Sequence, residues 1–283
     1  MDFRTLPTVS VGIALATLSL GCQADKNETD PCADDGQVEM PELSADRIAY
    51  IKLDELVEID AEGNTATYSD IQAHFDDFSE FDPGLTPVVA LGPACVGTLG
   101  VPVSEGSLIP LSVDELILSS PTLEELRMEQ DDAGMFAPVS LDAMFPETGG
   151  EPLHIEVTGG DGDGTFPSFE ETVETPFPIE DVAVDYKGNG TLDITWAPSE
   201  STYFEATLRT NDTSGVDNRL RCFFLADDGC FTVPAEAMDW VRSGGVTDFT
   251  LLVERHTTIF SIIEDNALLQ IDALRSIRID FEI

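Results

Sequence analysis

Basic side chains are scarce in this 283-residue sequence. Thirteen lysines and arginines stand against 55 aspartates and glutamates, and the formal net charge is −42. A charge of this size repels the phosphates of nucleic acids and the headgroups of anionic lipids. Nucleic acid is therefore excluded as a partner, and the acidity indicates a solvated surface without specifying any chemistry.

Catalytic motifs are absent as well. There are three histidines, and no two of them have the spacing of a shared metal site such as HExxH. Neither the GxSxG turn of a hydrolase nor a phosphate-binding GxxxxGK[ST] loop occurs. We expect His74 on a helix face, His154 on a strand and His256 in a turn. The sequence predicts a protein that is not an enzyme and has no cofactor, although a hydrolase with a non-local site remains open.

No apolar run near the N-terminus is long enough to cross a membrane. The run at residues 9–20 has twelve residues, whereas a transmembrane helix needs roughly 20. It suits the apolar region of an export signal, which runs about 7–15 residues. Residues 1–21 are therefore predicted to be a signal peptide.

The end of that run, LSLGC at residues 18–22, resembles the lipobox of bacterial lipoproteins. The resemblance implies cleavage before Cys22 and acylation of this cysteine, with the membrane as partner through the lipid anchor. Ser19 stands where the family prefers leucine. Gln23 stands where lipoproteins of the inner membrane carry aspartate, which implies an outer-membrane location. An ordinary signal peptide with an unmodified Cys22 is the alternative.

Composition divides the rest of the chain into three parts. Residues 22–46 are acidic and almost lack large apolar groups, which predicts a disordered tether. Residues 47–176 contain short strand patterns between Gly, Pro and Asp turns, with short helices expected after Ser69 and Thr122. The proline-bearing segment at residues 175–179 is the predicted boundary to a second domain, residues 177–283.

Apolar residues alternate with polar ones in this second part, as in Phe204, Ala206 and Leu208. Strands with one buried and one wet face are typical of antiparallel sheets in a β-sandwich. Turns about every ten residues favour this architecture over a βαβ sheet. We predict an all-β chain of two Ig-like β-sandwich domains, with one short helix in VPAEAMDWVRSG.

TLDITWAPSESTYFEATL, at residues 191–208, resembles the second and third strands of a fibronectin type III or immunoglobulin-like sandwich, with Trp196 as the core tryptophan. From residue 159 onward, GGDGDGTFPSFEETVETPFPI, ITWAP and CFFLADDGCFTVPAEAM together resemble poorly characterised lipoproteins of the myxobacterial kind. The resemblance implies a fold and a location and no activity.

The chain has five cysteines. If Cys22 is acylated, an even number remains, which in an exported chain indicates two disulfides. Cys222 and Cys230 flank a hairpin-like segment and are expected to pair, which leaves Cys32 with Cys95. Other connectivities remain open, whereas zinc is disfavoured because no CxxC occurs.

The glycine-rich segment GGDGDGTF, residues 159–166, is a candidate calcium site. Asp161 and Asp163 offer the carboxylate oxygens that Ca²⁺ prefers. Gly164 departs from the repeat pattern of calcium-binding β-helices, and Phe166 occupies the position that an EF-hand reserves for glycine. A flexible turn is the favoured interpretation.

The predicted function is a structural or partner-binding role at the membrane, with a protein or a glycan as partner. The alternative is a calcium-assisted adhesion or carbohydrate-binding module. Such a module would use loop carboxylates and exposed aromatic side chains such as Tyr203 or Phe223.

Overall fold

A computed structural model describes residues 47–59, 64–77, 88–91, 94–99, 109–131, 136, 141, 144–160, 164–210, 218–224, 227–242, 245–263 and 267–283. The predicted signal peptide and tether, with Cys22 and Cys32, lie outside these residues.

Within the described residues, sixteen strands and one helix follow one another. They are β1 (Arg47–Ile59), β2 (Thr65–Asp77), β3 (Val88–Ala90), β4 (Cys95–Leu99), β5 (Ile109–Pro110), β6 (Glu115–Ser119), β7 (Leu126–Met128), β8 (Pro152–Thr158), β9 (Phe169–Glu174), β10 (Ala183–Tyr186), β11 (Leu192–Thr195), β12 (Tyr203–Thr210), β13 (Asn218–Phe224), β14 (Cys230–Val233), α1 (Ala235–Val241), β15 (Asp248–Ile263) and β16 (Ala267–Glu282).

The all-β prediction is confirmed. The strands form a nine-stranded sheet in the order β3-β4-β13-β12-β15-β16-β1-β2-β5, a four-stranded sheet β7-β6-β8-β9 and a three-stranded sheet β10-β11-β14. β1 runs parallel to β16, and the other named strand pairs are antiparallel.

Two hydrophobic cores lie under one face of the nine-stranded sheet. The first joins β1, β2 and the beginning of β16 to the four-stranded sheet and contains Phe75 and Leu153. The second joins β12, β13 and the beginning of β15 to the three-stranded sheet and contains Phe204 and Leu192. The two sandwich cores therefore share one continuous sheet.

The length of the central strands makes this sharing possible. β16 has sixteen residues and so spans about 50 Å at roughly 3.3 Å per residue. Its side chains alternate between faces, so Ile271 packs in the first core and Ile277, on the same face, packs in the second.

Hydrogen bonding crosses the boundary predicted near residue 177. β1 pairs with β16 along its whole length, from Arg47 opposite Ala267 to Ile59 opposite Ile279. β4 pairs with β13 in the same sheet. The two parts of the chain are therefore joined by backbone hydrogen bonds as well as by the linker.

A row of charged side chains lies between the two cores, on the same inner face of the sheet. Glu55 of β1 lies opposite Arg275 of β16, which lies opposite Arg255 of β15. Arg255 is 0% exposed, and the other two are 7% exposed. We call these three residues the charged row.

Arg255 is held by partners from three connecting segments. Its Nε donates to Asp227 Oδ2 at 2.8 Å, its Nη2 donates to the carbonyl of Ala197 at 2.8 Å, and its Nη1 donates to the carbonyl of Pro178. Trp196 Nε1 also donates to Asp227. The guanidinium thereby holds the predicted linker, residues 175–179, against the sheet by hydrogen bonds.

Arg275 and Glu55 bind a second connecting segment, residues 144–146, to the sheet. Arg275 Nε lies 3.1 Å from Glu55 Oε1, and Arg275 Nη2 donates to the carbonyl of Pro146 at 2.6 Å. Glu55 Oε2 accepts hydrogen bonds from the backbone amides of Met144 and Phe145, each at 3.0 Å. These contacts supply hydrogen-bond partners to Arg275 Nη2 and Glu55 Oε2, as buried charges require, whereas Arg275 Nε has an ion pair and no hydrogen bond within the described residues.

The short helix and the core tryptophan are confirmed, whereas the two other predicted helices are wrong. Trp196 is buried and stacks on Phe204 with ring centroids 4.1 Å apart. Ser69 lies inside β2, where the two-residue period prevails over the capping signal. The segment after Ser120 is a bend in which Ser120 Oγ accepts the amide of Leu123, with no helix behind it.

The predicted disulfide pairing is also wrong. Cys222 is bonded to Cys95, 127 residues away, and the two lie directly opposite each other in the β4–β13 pair. Cys230 begins β14 in the three-stranded sheet, so the expected Cys222–Cys230 hairpin does not form. Cys230 is itself disulfide-bonded, and Cys32 lies outside the described residues.

The first prediction concerns Arg255. Arg255→Met should lower the free energy of unfolding by about 3–5 kcal/mol, because it leaves Asp227 buried without its cation. Urea unfolding measures this change. Arg278→Met, which removes an exposed ion pair with Glu58, should change it by no more than about 1 kcal/mol. Equal losses in the two variants would contradict a special role for the charged row.

The second prediction concerns the disulfide. Replacing both Cys95 and Cys222 with alanine should lower the free energy of unfolding by about 2–5 kcal/mol, since the bond closes a long loop in the unfolded chain. Urea unfolding without reductant is the measurement, with Cys95–Cys222 linkage verified in a non-reduced digest. A peptide that links Cys222 to Cys230 would disprove the pairing.

Candidate functional site

A cluster of titratable side chains lies on the other face of the nine-stranded sheet. β15 supplies Glu254 and His256, two residues apart and hence on one face, β12 supplies Glu205, and β16 supplies Asp272. We call these four residues the Glu–His cluster. All four are buried, although the alternation in the sequence predicts that this face of the sheet is exposed to solvent.

Three members of the cluster converge. Glu205 lies directly opposite Glu254 across the β12–β15 pair. One carboxylate oxygen from each of them and one ring nitrogen of His256 lie within 4.8 Å of one another. At this spacing, side chains from two strands are close enough to be candidate ligands of one ion.

His256 is oriented by its neighbours. Its Nδ1 lies 3.0 and 3.1 Å from the two oxygens of Asp272, which also accepts a hydrogen bond from Thr258 Oγ1 at 2.7 Å. A carboxylate only accepts hydrogen bonds, so Nδ1 carries the hydrogen. The ring stacks on Tyr203 with centroids 4.0 Å apart.

The other ring nitrogen of His256, Nε2, is a candidate ligand atom. Nε2 is buried, and it has no hydrogen-bond partner among the residues that the structure describes. A neutral imidazole protonated on Nδ1 carries a lone pair on Nε2. In the protonated ring the same atom is an N–H donor. Burial of either an acceptor or a donor without a partner costs about 1–3 kcal/mol, so this nitrogen lacks a ligand among the described residues in both states.

Glu205 accepts three hydrogen bonds from two neighbouring residues. Arg221 donates to both of its oxygens, from Nε at 2.7 Å and from Nη2 at 2.8 Å. Thr207 Oγ1 donates to Oε1 at 2.8 Å. A carboxylate offers about four acceptor positions, so Glu205 keeps the capacity for one further contact.

Further charges surround the cluster on the same face. Lys52 Nζ donates to Asp54 Oδ2 at 3.0 Å, and Ser276 Oγ donates to the other oxygen of Asp54 at 2.8 Å. The cluster and Asp54 contribute four carboxyl groups. Lys52, Arg221 and, when it is protonated, His256 are the cations that act on it, so negative charge stays in excess.

The crowding shifts the pKa values of the cluster. Burial, and then the charge of Glu205, raise the pKa of Glu254 from 4.5 to about 7. Burial by itself would lower the pKa of His256, but the hydrogen bond and charge of Asp272 outweigh it, and the pKa is raised. Both residues therefore favour their protonated forms while no other cation is bound.

The sequence-based positions of the histidines are partly wrong. His256 lies in the middle of β15 and not in a turn, and His74 lies on β2 and not on a helix. The prediction for His154, on β8, is confirmed. The signal that points to the cluster is the alternation that continues beyond Val253, but the charge of Arg255 interrupts its apolar face.

The candidate calcium ligands Asp161 and Asp163 lie outside the described residues. The ends of their segment are tied together, because the amide of Gly159 donates to Ser168 Oγ at 2.9 Å and Thr165 Oγ1 donates to the carbonyl of Gly160 at 2.7 Å. Calcium binding there stays a prediction.

The aromatic side chains proposed for glycan binding are not exposed. Tyr203 is half-buried against His256. Phe223 is half-buried with the Arg221 guanidinium 4.9 Å above its ring centroid. Each ring therefore has one face already in contact with a neighbouring side chain.

Comparison with known proteins supplies no family. No protein-family model and no curated protein matches the sequence. A two-domain fibronectin type III segment of chicken tenascin matches 71% of this chain and 99% of its own, at 11% identity and a TM-score of 0.26. The FN1–FN3 domains of chicken CNTN1 match 67% of this chain and 66% of their own, at 15% identity and a TM-score of 0.22.

TM-scores this low carry no argument about the topology or the function of this chain. Across the described ranges, we find no helix with the length and apolar character needed to cross a bilayer.

The third prediction is a pH dependence. Between pH 4.5 and about 7, native Glu254 holds a proton that the unfolded chain releases, so its contribution to stability is lost as the pH rises through this window. The raised pKa of His256 acts in the same direction. With metals chelated, Glu254→Gln should be more stable than the wild type at pH 8 by about 2–3 kcal/mol and should match it near pH 4.5.

Urea unfolding of the two proteins from pH 4.5 to pH 8 measures this difference. Glu156→Gln, on the exposed face of β8, is the control and should leave the pH dependence of the wild type unchanged. A Glu254→Gln curve that runs parallel to the wild-type curve would refute the assigned protonation.

Proposed function

We propose that the protein is an exported bacterial lipoprotein, acylated at Cys22 and anchored in the outer membrane, with a non-enzymatic structural or partner-binding role. The observation that carries the proposal is the pattern at residues 9–22: an apolar run too short for a membrane span that ends in Gly21-Cys22. An acidic, polar stretch follows it, as expected of a tether between a lipid and a folded body.

The cysteines support export. Cys95, Cys222 and Cys230 are all disulfide-bonded, and stable disulfides belong to oxidising compartments such as the periplasm and the cell surface. The Cys95–Cys222 bond joins β4 to β13 near one edge of the nine-stranded sheet.

The surface charge limits the partners. A net charge of −42 disfavours nucleic acid and anionic lipid headgroups, so the membrane contact passes through the acyl chains and the partner is a protein or a neutral or cationic glycan. A scaffold of two cores on one sheet suits such a role, since it holds its loops at fixed positions.

The fourth prediction tests the anchor. Cys22→Ser should move the protein from the membrane fraction to the soluble fraction of its host and abolish labelling by palmitate, because the acylated atom is removed. Cys32→Ser, in the same predicted tether, should remain in the membrane fraction. Gln23→Asp should move the protein to the inner membrane if the residue after the lipid sorts it.

Membrane association of Cys22→Ser, or equal release of Cys32→Ser, would refute acylation at Cys22. Unchanged outer-membrane location of Gln23→Asp would refute the sorting role alone.

A further inference from the structure

We propose that Glu205, Glu254 and His256 bind one divalent transition-metal ion, for which Zn²⁺ is the best fit, on the face of the nine-stranded sheet opposite the two cores. This site is separate from the predicted lipid anchor and from the candidate calcium segment. It does not depend on the proposed function, since all of its residues belong to the described strands.

His256 supplies the strongest argument. Metal-bound histidines usually donate their other ring N–H to a carboxylate, which fixes the tautomer and makes the ligating nitrogen more basic. Asp272 accepts from Nδ1 in this way, and Nε2 is left buried without a partner in the described structure. A metal ion would satisfy this nitrogen.

Charge supplies the second argument. Glu205, Glu254, Asp54 and Asp272 face Lys52 and Arg221, which leaves two negative charges uncompensated when all four carboxyl groups are ionised and His256 is neutral. A divalent cation would balance the cluster. It would also offset the repulsion between Glu205 and Glu254, which lie directly opposite each other across the β12–β15 pair.

The distances allow one ion to be shared. Ligand atoms at about 2.0–2.2 Å from one tetrahedral zinc ion lie roughly 3.3–3.6 Å apart. The three atoms of this site lie within 4.8 Å of one another, so the two glutamate side chains would have to rotate to bring their oxygens closer by up to about 1 Å. Arg221 and Thr207 approach Glu205 mainly through Oε1, and Oε2 accepts from a single donor.

The ligand types decide the class of metal. A set of one imidazole nitrogen and two carboxylate oxygens suits zinc and related divalent ions, whereas Ca²⁺ and Mg²⁺ prefer oxygen alone. Three protein ligands would leave a fourth tetrahedral position for water or for a group from a partner.

The fifth prediction is binding of Zn²⁺ by the full mature chain. After dialysis against EDTA and removal of the chelator, titration calorimetry with Zn²⁺ alone at pH 7.5 should show one high-affinity ion per chain, and thermal unfolding should shift to higher temperature. Co²⁺ in the same site should give the visible absorption of a four-coordinate ion. Ca²⁺ should produce neither effect at the same concentration.

Three variants assign the site. Glu254→Gln removes a ligand charge and should fold at least as well as the wild type, yet lose Zn²⁺ binding by more than about tenfold. His256→Asn keeps a donor toward Asp272 while it removes Nε2, and should show the same loss. Asp272→Asn should weaken binding by about 10–100-fold, as changes to a partner of a ligating histidine do.

His154→Asn is the matched control, because His154 is an exposed histidine on β8, and it should bind Zn²⁺ as the wild type does. If His256→Asn does not fold, Glu254→Gln decides the outcome. Absence of Zn²⁺ binding in the wild type, binding that Glu254→Gln retains, or preference for Ca²⁺ would overturn the proposal.

Discussion

The burial of Arg255 between two hydrophobic cores is the constraint on which the structure depends. A guanidinium cannot be left in an apolar layer without partners, so carbonyls and Asp227 from the connecting segments have to reach it. Arg275 and Glu55 impose the same demand on the segment before β8. The charged row therefore sets the place where one core ends and the next begins.

This arrangement explains how two sandwich cores can share a sheet. An apolar row at the same place would favour a single merged core, whereas a hydrogen-bonded charged row keeps the cores distinct while β15 and β16 run through unbroken. Whether such groups add stability over an apolar replacement is a separate matter, since desolvation offsets much of their attraction. Their hydrogen bonds determine which connecting segments lie over β15, β16 and β1.

The same strand that places Arg255 inward places Glu254 and His256 outward. Successive side chains of a strand point to opposite faces, so the interruption of the apolar pattern and the Glu–His cluster are two consequences of one extended β15. Glu205 and Asp272 then come from the neighbouring strands β12 and β16. The cluster thus depends on strand register, and a shift by one residue in β15 would exchange its two faces.

The two-residue period in the sequence was enough to determine the all-β class and the inward set of Phe204, Leu251 and Ile277, because local alternation reports burial directly. Strand partners, the Cys95–Cys222 bond and the position of His256 were decided only in the tertiary structure. Each of these depends on residues far apart in the chain, such as Glu205 and Glu254 on paired strands. Local periodicity predicts which face a side chain occupies, whereas the sheet order decides what it meets there.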